Sequence, residues 1–150
     1  MIEIERRFLV QRLPDDLPRP AVIEQAYLTT GPVSVRVRKI DDRRILTIKS
    51  GAGLQRVEIE RDLEPAEFDA LWRVGTELRI AKRRHRIDLG GGNVAELDVY
   101  EGDLEGHHLV EVEFDSVDEA DAFDPPPWFG QEVTSDPRYT NASLARSGWP

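Results

Sequence analysis

Like charges recur at every second position along this chain. The pairs are Glu3 and Glu5, Arg36 and Arg38, Glu58 and Glu60, Arg84 and Arg86, Glu96 and Asp98, and Glu111 and Glu113. Apolar residues such as Ile4, Val37, Ile59, Leu97 and Val112 sit between their members. A period of two is the period of a β-strand, whose successive side chains point to opposite faces. Each pair therefore aims two charges of one sign at the same space, with an apolar row behind it. No helical core and no two-sided apolar sheet can be built from such a pattern.

The alternation marks eight strands, over residues 2–10, 22–30, 33–40, 44–50, 56–62, 78–89, 93–101 and 108–114. Short turns separate most of them: Gly31-Pro32, Asp41-Asp42, residues 51–53, and Gly90-Gly91-Gly92. Glu64-Pro65 opens a helix of about ten residues or more, with Phe68, Leu71, Trp72 and Gly75 on its buried side. Shorter helices are expected over residues 115–123 and 138–147, with a rigid bend at Pro125-Pro126-Pro127 between them. The 150 residues suit one domain with a hydrophobic core, and no linker or repeat divides them.

The charged face collects eight cations and eight acids. The cations are Arg7, Arg36, Arg38, Lys49, Arg56, Lys82, Arg84 and Arg86, and the acids are Glu3, Glu5, Glu58, Glu60, Glu96, Asp98, Glu111 and Glu113. A solvated outer face accounts for charge on many antiparallel sheets. It accounts poorly for this one, where Thr, Ser and Gln are nearly absent and neighbouring like charges repel. Eight strands can instead close into a barrel. The expected fold is thus mainly β (α+β): an eight-stranded antiparallel closed barrel, a tunnel with a charged interior and a few helices over its apolar outside. Such a lumen suits a ligand that satisfies cations directly and carboxylates through a metal, and a metal-bound polyphosphate does both. Arginine forks match phosphate oxygens, and Mg²⁺ takes a few carboxylates, water and substrate phosphate.

Composition narrows the alternatives. The net charge is −9. With the lumen neutral, the whole excess lies outside, which disfavours nucleic acid and membrane surfaces as partners. There is no cysteine, so neither disulfides nor thiolate chemistry is available. No apolar run is long enough to span a bilayer, and the opening MIEIERRFLV has acids where a signal peptide needs a basic start. A soluble cytoplasmic protein is expected, as a monomer or homodimer. His107-His108 is an unpromising metal site, because adjacent strand residues point oppositely. Trp72 is expected in the helix core, His85 on the apolar face, and Trp128 and Trp149 as pins for the C-terminal segment.

The ordered motifs resemble one family. Glu3-Ile4-Glu5-Arg6-Arg7 is similar to the ExExK signature of the CYTH superfamily, the triphosphate tunnel metalloenzymes. The likeness continues through Gln25-Ala26-Tyr27-Leu28, Val35-Arg36-Val37-Arg38, Leu46-Thr47-Ile48-Lys49, Arg56-x-Glu58-x-Glu60, Lys82-x-Arg84, Glu96-Leu97-Asp98 and Glu111-Val112-Glu113. The tail, from Glu132-Val133-Thr134 through Arg138-Tyr139-x-Asn141, resembles the short bacterial branch. The resemblance implies an eight-stranded tunnel, dependence on Mg²⁺ or Mn²⁺, and action on triphosphates, most of all inorganic tripolyphosphate. Thiamine or nucleoside triphosphatases and class IV adenylate cyclases are alternatives within the family. A non-catalytic polyphosphate-binding module is the alternative of another class.

The resemblance also implies roles. Glu3, Glu5, Asp98, Glu111 and Glu113 match the metal and water side, and Glu58 and Glu60 match acids that serve a second metal or hold the arginines. Arg36, Arg38, Lys49, Arg56, Lys82 and Arg84 match the phosphate side. Glu5, Arg7, Tyr27 and Glu113 stand where the chemistry is expected. One position departs: the signature ends in lysine, paired in short members with a tyrosine at the place of Tyr27, and here it is Arg7. Arginine stays charged near neutral pH and cannot relay a proton.

Overall fold

The computed structural model of the chain describes residues 1–51, 53–75 and 77–150. Within the expected turn at residues 51–53, residue 52 lies outside the described residues. The strands are β1 Ile2–Val10, β2 Ala21–Thr29, β3 Val33–Ile40, β4 Arg43–Ser50, β5 Gln55–Asp62, β6 Arg79–Gly90, β7 Asn93–Tyr100, β8 His108–Phe114 and β9 Phe129–Glu132. The helices are α1 Pro65–Val74, α2 Val117–Ala122 and α3 Asn141–Ser147.

Two antiparallel meanders make most of the wall: β2 to β5, and β6 to β8. They join where β2 pairs with β6. β1 then bridges the remaining sides, pairing with β8 along six residues and with β5 through Ile2↔Val57, Glu3↔Arg56 and Ile4↔Gln55. That short seam closes an eight-stranded antiparallel barrel. β9 adds to β1 outside the ring, with an irregularity between Phe8 and Val10. The sequence pattern missed β9, because its four residues show no alternation and follow three prolines.

The alternation predicted from sequence sets which way every wall residue faces. Phe8, Leu97, Val110 and Val112 point outward and are buried beneath α2, Phe123 and Phe129. Ala26 and Val37 point outward under Phe68 of α1. Glu64 starts α1, its backbone N–H donating to Glu67 Oε1 at 2.8 Å. Gly75 ends the helix against the wall: a Cβ there would stand 3.1 Å from Ala26 Cβ and 3.1 Å from Leu28 Cδ2. The expected helix over residues 138–147 is divided. A 3-10 turn covers Pro137–Tyr139, and Thr140 caps α3 by accepting from the Ser143 N–H.

The aromatic residues pack as the sequence suggested. Trp72 stacks on Phe68, and Arg79 covers its ring. Trp149 packs on Tyr139, Tyr100 and His107 and fastens the chain end to the β7–β8 side of the barrel. His85 lies outside the ring, where its Nδ1 meets the Pro18 carbonyl at 2.6 Å.

Candidate active site: a charge-lined tunnel

The inward rows enclose a cavity of about 340 Å³. Every expected site residue borders it except Lys82 and Asp98. Those two are fully buried behind the lining. Lys82 Nζ lies 2.6 Å from Asp98 Oδ2, and Arg84 grips the same carboxylate from the other side at 2.7 and 2.9 Å. Burial alone would discourage ionisation of Asp98, yet Arg84 and Lys82 outweigh it and hold its pKa below the usual range. With three hydrogen bonds made, this carboxylate braces Arg84.

The cations fall into two groups. Several are already partnered. Lys49 contacts Glu3 at 3.0 Å and Glu58 at 3.1 Å. Arg7 donates to Glu5 at 3.0 Å, to Glu111 at 3.1 Å and to the Tyr139 carbonyl at 2.9 Å. Burial opposes its charge, but Glu111 and Glu5 hold its pKa above the usual arginine value. Arg7 thus ties two acids and the C-terminal segment together and stays ionised. Arg36, Arg38 and Arg56 form the other group, and among the described residues none of them meets a carboxylate. Arg38 donates to Gln25 at 2.8 Å. Burial, and then the neighbouring Arg36 and Arg84 charges, draw its pKa down to about 9. The Nε atoms of Arg36 and Arg56 are buried with no partner. Unsatisfied buried donors of this kind are costly and point to an anionic ligand.

The acids show the complementary surplus. Glu5 and Glu113 lie directly opposite one another on β1 and β8, an arrangement that repels. Burial first, and Glu111 second, push Glu5 up to about 8, against the pull of Arg7 and Lys49. Glu113 is raised by partial burial and by Glu3, Glu58 and Glu96. Burial also works against Glu111, but Arg7, Arg84 and Lys82 hold it well below the usual carboxylate range. Among the described residues no three acids or histidines converge into a ready-made metal cage. The donor chemistry still fits a hard divalent cation, since Glu3, Glu5 and Glu113 offer oxygen ligands whose mutual repulsion a cation would remove.

The strand pattern passed over several lining groups. Gln25 shares the inward row of β2 with the expected Tyr27, and its Nε2 donates to the Tyr27 hydroxyl at 3.1 Å. Thr47 is inward and buried, with its hydroxyl unpartnered. Ser34, Thr140 and Asn141 also border the cavity.

A closed antiparallel barrel with free guanidiniums facing surplus carboxylates defines a polyanion-binding tunnel protein. The CYTH domain profile matches residues 1–145, and the chain belongs to that family. It is 44% identical over 149 residues to an inorganic triphosphatase of Nitrosomonas europaea, covering 98% of this chain and 99% of that one. It is 33% identical to an inorganic triphosphatase of Acetivibrio thermocellus, with 97% and 94% covered. The crystal structure of an inorganic triphosphatase superposes with a TM-score of 0.73 at 41% identity, over 99% of this chain and 97% of that one.

Proposed function

We propose that this chain is a divalent-metal-dependent triphosphatase that hydrolyses a terminal phosphoanhydride bond of inorganic tripolyphosphate. The observation that carries the reading is the trio Arg36, Arg38 and Arg56 in a closed barrel: Arg36 and Arg38 buried, Arg56 half-buried with its Nε sealed, and none with a carboxylate partner among the described residues. The names of the relatives support it. So does the size of the cavity, near the small end for ligand pockets. Tyr27 is the sole aromatic residue among the described ones on its wall, so a nucleobase or thiazole ring finds little to stack on. That favours an inorganic substrate over a nucleoside or thiamine triphosphate, and over a cyclase reaction.

The residues divide the work. Arg36, Arg38 and Arg56 grip the phosphate chain, and Arg84, held square by Asp98 and Lys82, presents its remaining edge to the lumen. These donors stabilise charge on the transferred phosphoryl group. Glu3, Glu5, Glu111 and Glu113 would hold Mg²⁺ or Mn²⁺, with Glu58 and Glu60 beside them. A bound divalent cation would polarise a phosphoryl oxygen and acidify a coordinated water. Arg7 sets the direction of Glu5 and Glu111 and transfers no proton. Residues 1–150 act as one domain, in the cytoplasm, as a monomer or homodimer.

Purified protein given tripolyphosphate with Mg²⁺ or Mn²⁺ should release phosphate. No release with either metal overturns the reading. Tight calorimetric binding without release would instead favour a polyphosphate-binding module, the reading that Arg7 in the lysine position supports.

A further inference from the structure

Two polar side chains on the tunnel wall, Thr140 and Asn141, come from no strand, and the second is the more deeply anchored. Asn141, the first residue of α3, is 7% exposed and borders the cavity. Its Oδ1 accepts from the Tyr100 hydroxyl at 2.9 Å and from Lys82 Nζ at 3.3 Å. Both partners are buried, at 1% and 0% exposure, and Lys82 is itself anchored to Asp98. An ammonium has donors only, so the amide atom facing Lys82 must be the oxygen. Tyr100 agrees: burial, together with the Asp98 and Glu111 charges, holds its pKa well above the usual value and keeps it a phenol donor.

The amide can therefore point only one way. Its Nδ2 is turned from Tyr100 and Lys82 and has no partner among the described residues, yet it is not sealed from solvent. A fixed amide whose oxygen is spent and whose N–H₂ is free can serve only an acceptor ligand. We propose that Asn141 is a substrate-binding residue of the tunnel, donating an N–H to a phosphate oxygen of the bound polyanion. On the same geometry Lys82 is a positioning residue: it touches Asn141 and Asp98, is fully buried, and aims two lumen donors, Asn141 and Arg84, without meeting substrate itself. The inference rests on the polyphosphate reading and adds to it a donor outside the strands.

The informative variant is Asn141→Asp. It keeps an oxygen for Tyr100 and Lys82, so a purely structural role survives it. It replaces the N–H₂ with a second acceptor. Removing a hydrogen bond to a charged group and presenting an acceptor to phosphate should weaken tripolyphosphate binding by about ten- to a hundred-fold. The probe is sodium tripolyphosphate, titrated calorimetrically into wild type, Asn141→Asp and Asn141→Ala, with thermal midpoints recorded on each. The expected result is an unchanged or raised midpoint for Asn141→Asp with at least a ten-fold loss of affinity. Wild-type affinity in Asn141→Asp overturns the inference, whatever Asn141→Ala does to folding. Wild type that binds tripolyphosphate without hydrolysing it overturns the hydrolase reading alone and leaves this comparison intact. Wild type that binds no tripolyphosphate overturns both.

Discussion

Asp98 offers the sharpest test of how the lumen is built. The change is Asp98→Asn in protein stripped of metal with a chelator. In the wild type this carboxylate takes Lys82 at 2.6 Å and Arg84 at 2.7 and 2.9 Å, all in a fully buried setting. Asparagine retains one acceptor and turns an N–H₂ toward a cation. Breaking a buried ion pair on one side costs about 3–5 kcal/mol, because the charge left behind is neither solvated nor paired. At about 2–4 °C per kcal/mol for a domain of this size, the midpoint should fall by roughly 6–20 °C. Circular dichroism melts in chelator read this directly. A metal-ligand role for Asp98 predicts the opposite sign. Without metal, a ligand carboxylate belongs to a self-repelling cluster, and neutralising it leaves the midpoint unchanged or higher. An unchanged midpoint would refute the brace.

Further consequences can be checked with the same protein. Arg36→Gln removes one of several crowded cations, so the ligand-free midpoint should hold or rise while tripolyphosphate affinity drops about ten- to a hundred-fold by calorimetry; a fall in stability would show that Arg36 has a partner after all. Gly75→Ala drives a methyl group against Ala26 and Leu28 and should cost about 1–3 kcal/mol in a urea melt, although the backbone at Gly75, with φ of −86°, would accept alanine. The folded state keeps a proton on Glu5 up to about pH 8, whereas the unfolded chain releases it near 4.5. The stability this group contributes is complete below that lower value and is lost as pH rises toward 8. Metal-free protein should therefore melt lower at about pH 8.5 than at about pH 6, and a rising midpoint would count against a protonated Glu5.

The wall of the barrel was legible in the sequence because one rule, the strand period, governs every residue on it. Once Glu3, Arg36, Lys49 and Glu111 were assigned inward, their gathering followed from closure. What the period could not show was which charges would neutralise each other. Lys82 and Arg84 read as equals, two apart on one face, yet closure sealed Lys82 behind Asp98 and left Arg84 at the lumen. Gln25 and Thr47 lie in the inward rows but carry no charge, so a search for charged pairs passed them by. Asn141 lies on a helix, where strand phase has no meaning. Its signal lay in the tail motif, which matched without revealing a role.

The seam between β1 and β5 carries a consequence for how the molecule is made. A ribosome delivers β1 first, but its long pairing is with β8, about a hundred residues later, and β9 follows later still. During synthesis the β2–β5 meander can zip from local hairpins while the first strand waits unpaired. The ring closes only when β8 has emerged, so a pairing between strands about a hundred residues apart completes the tunnel. Folding that depends on such long-range strand pairing is slow, and the waiting edges are open to other chains. The chamber is therefore enclosed only after most of the chain that surrounds it has been made.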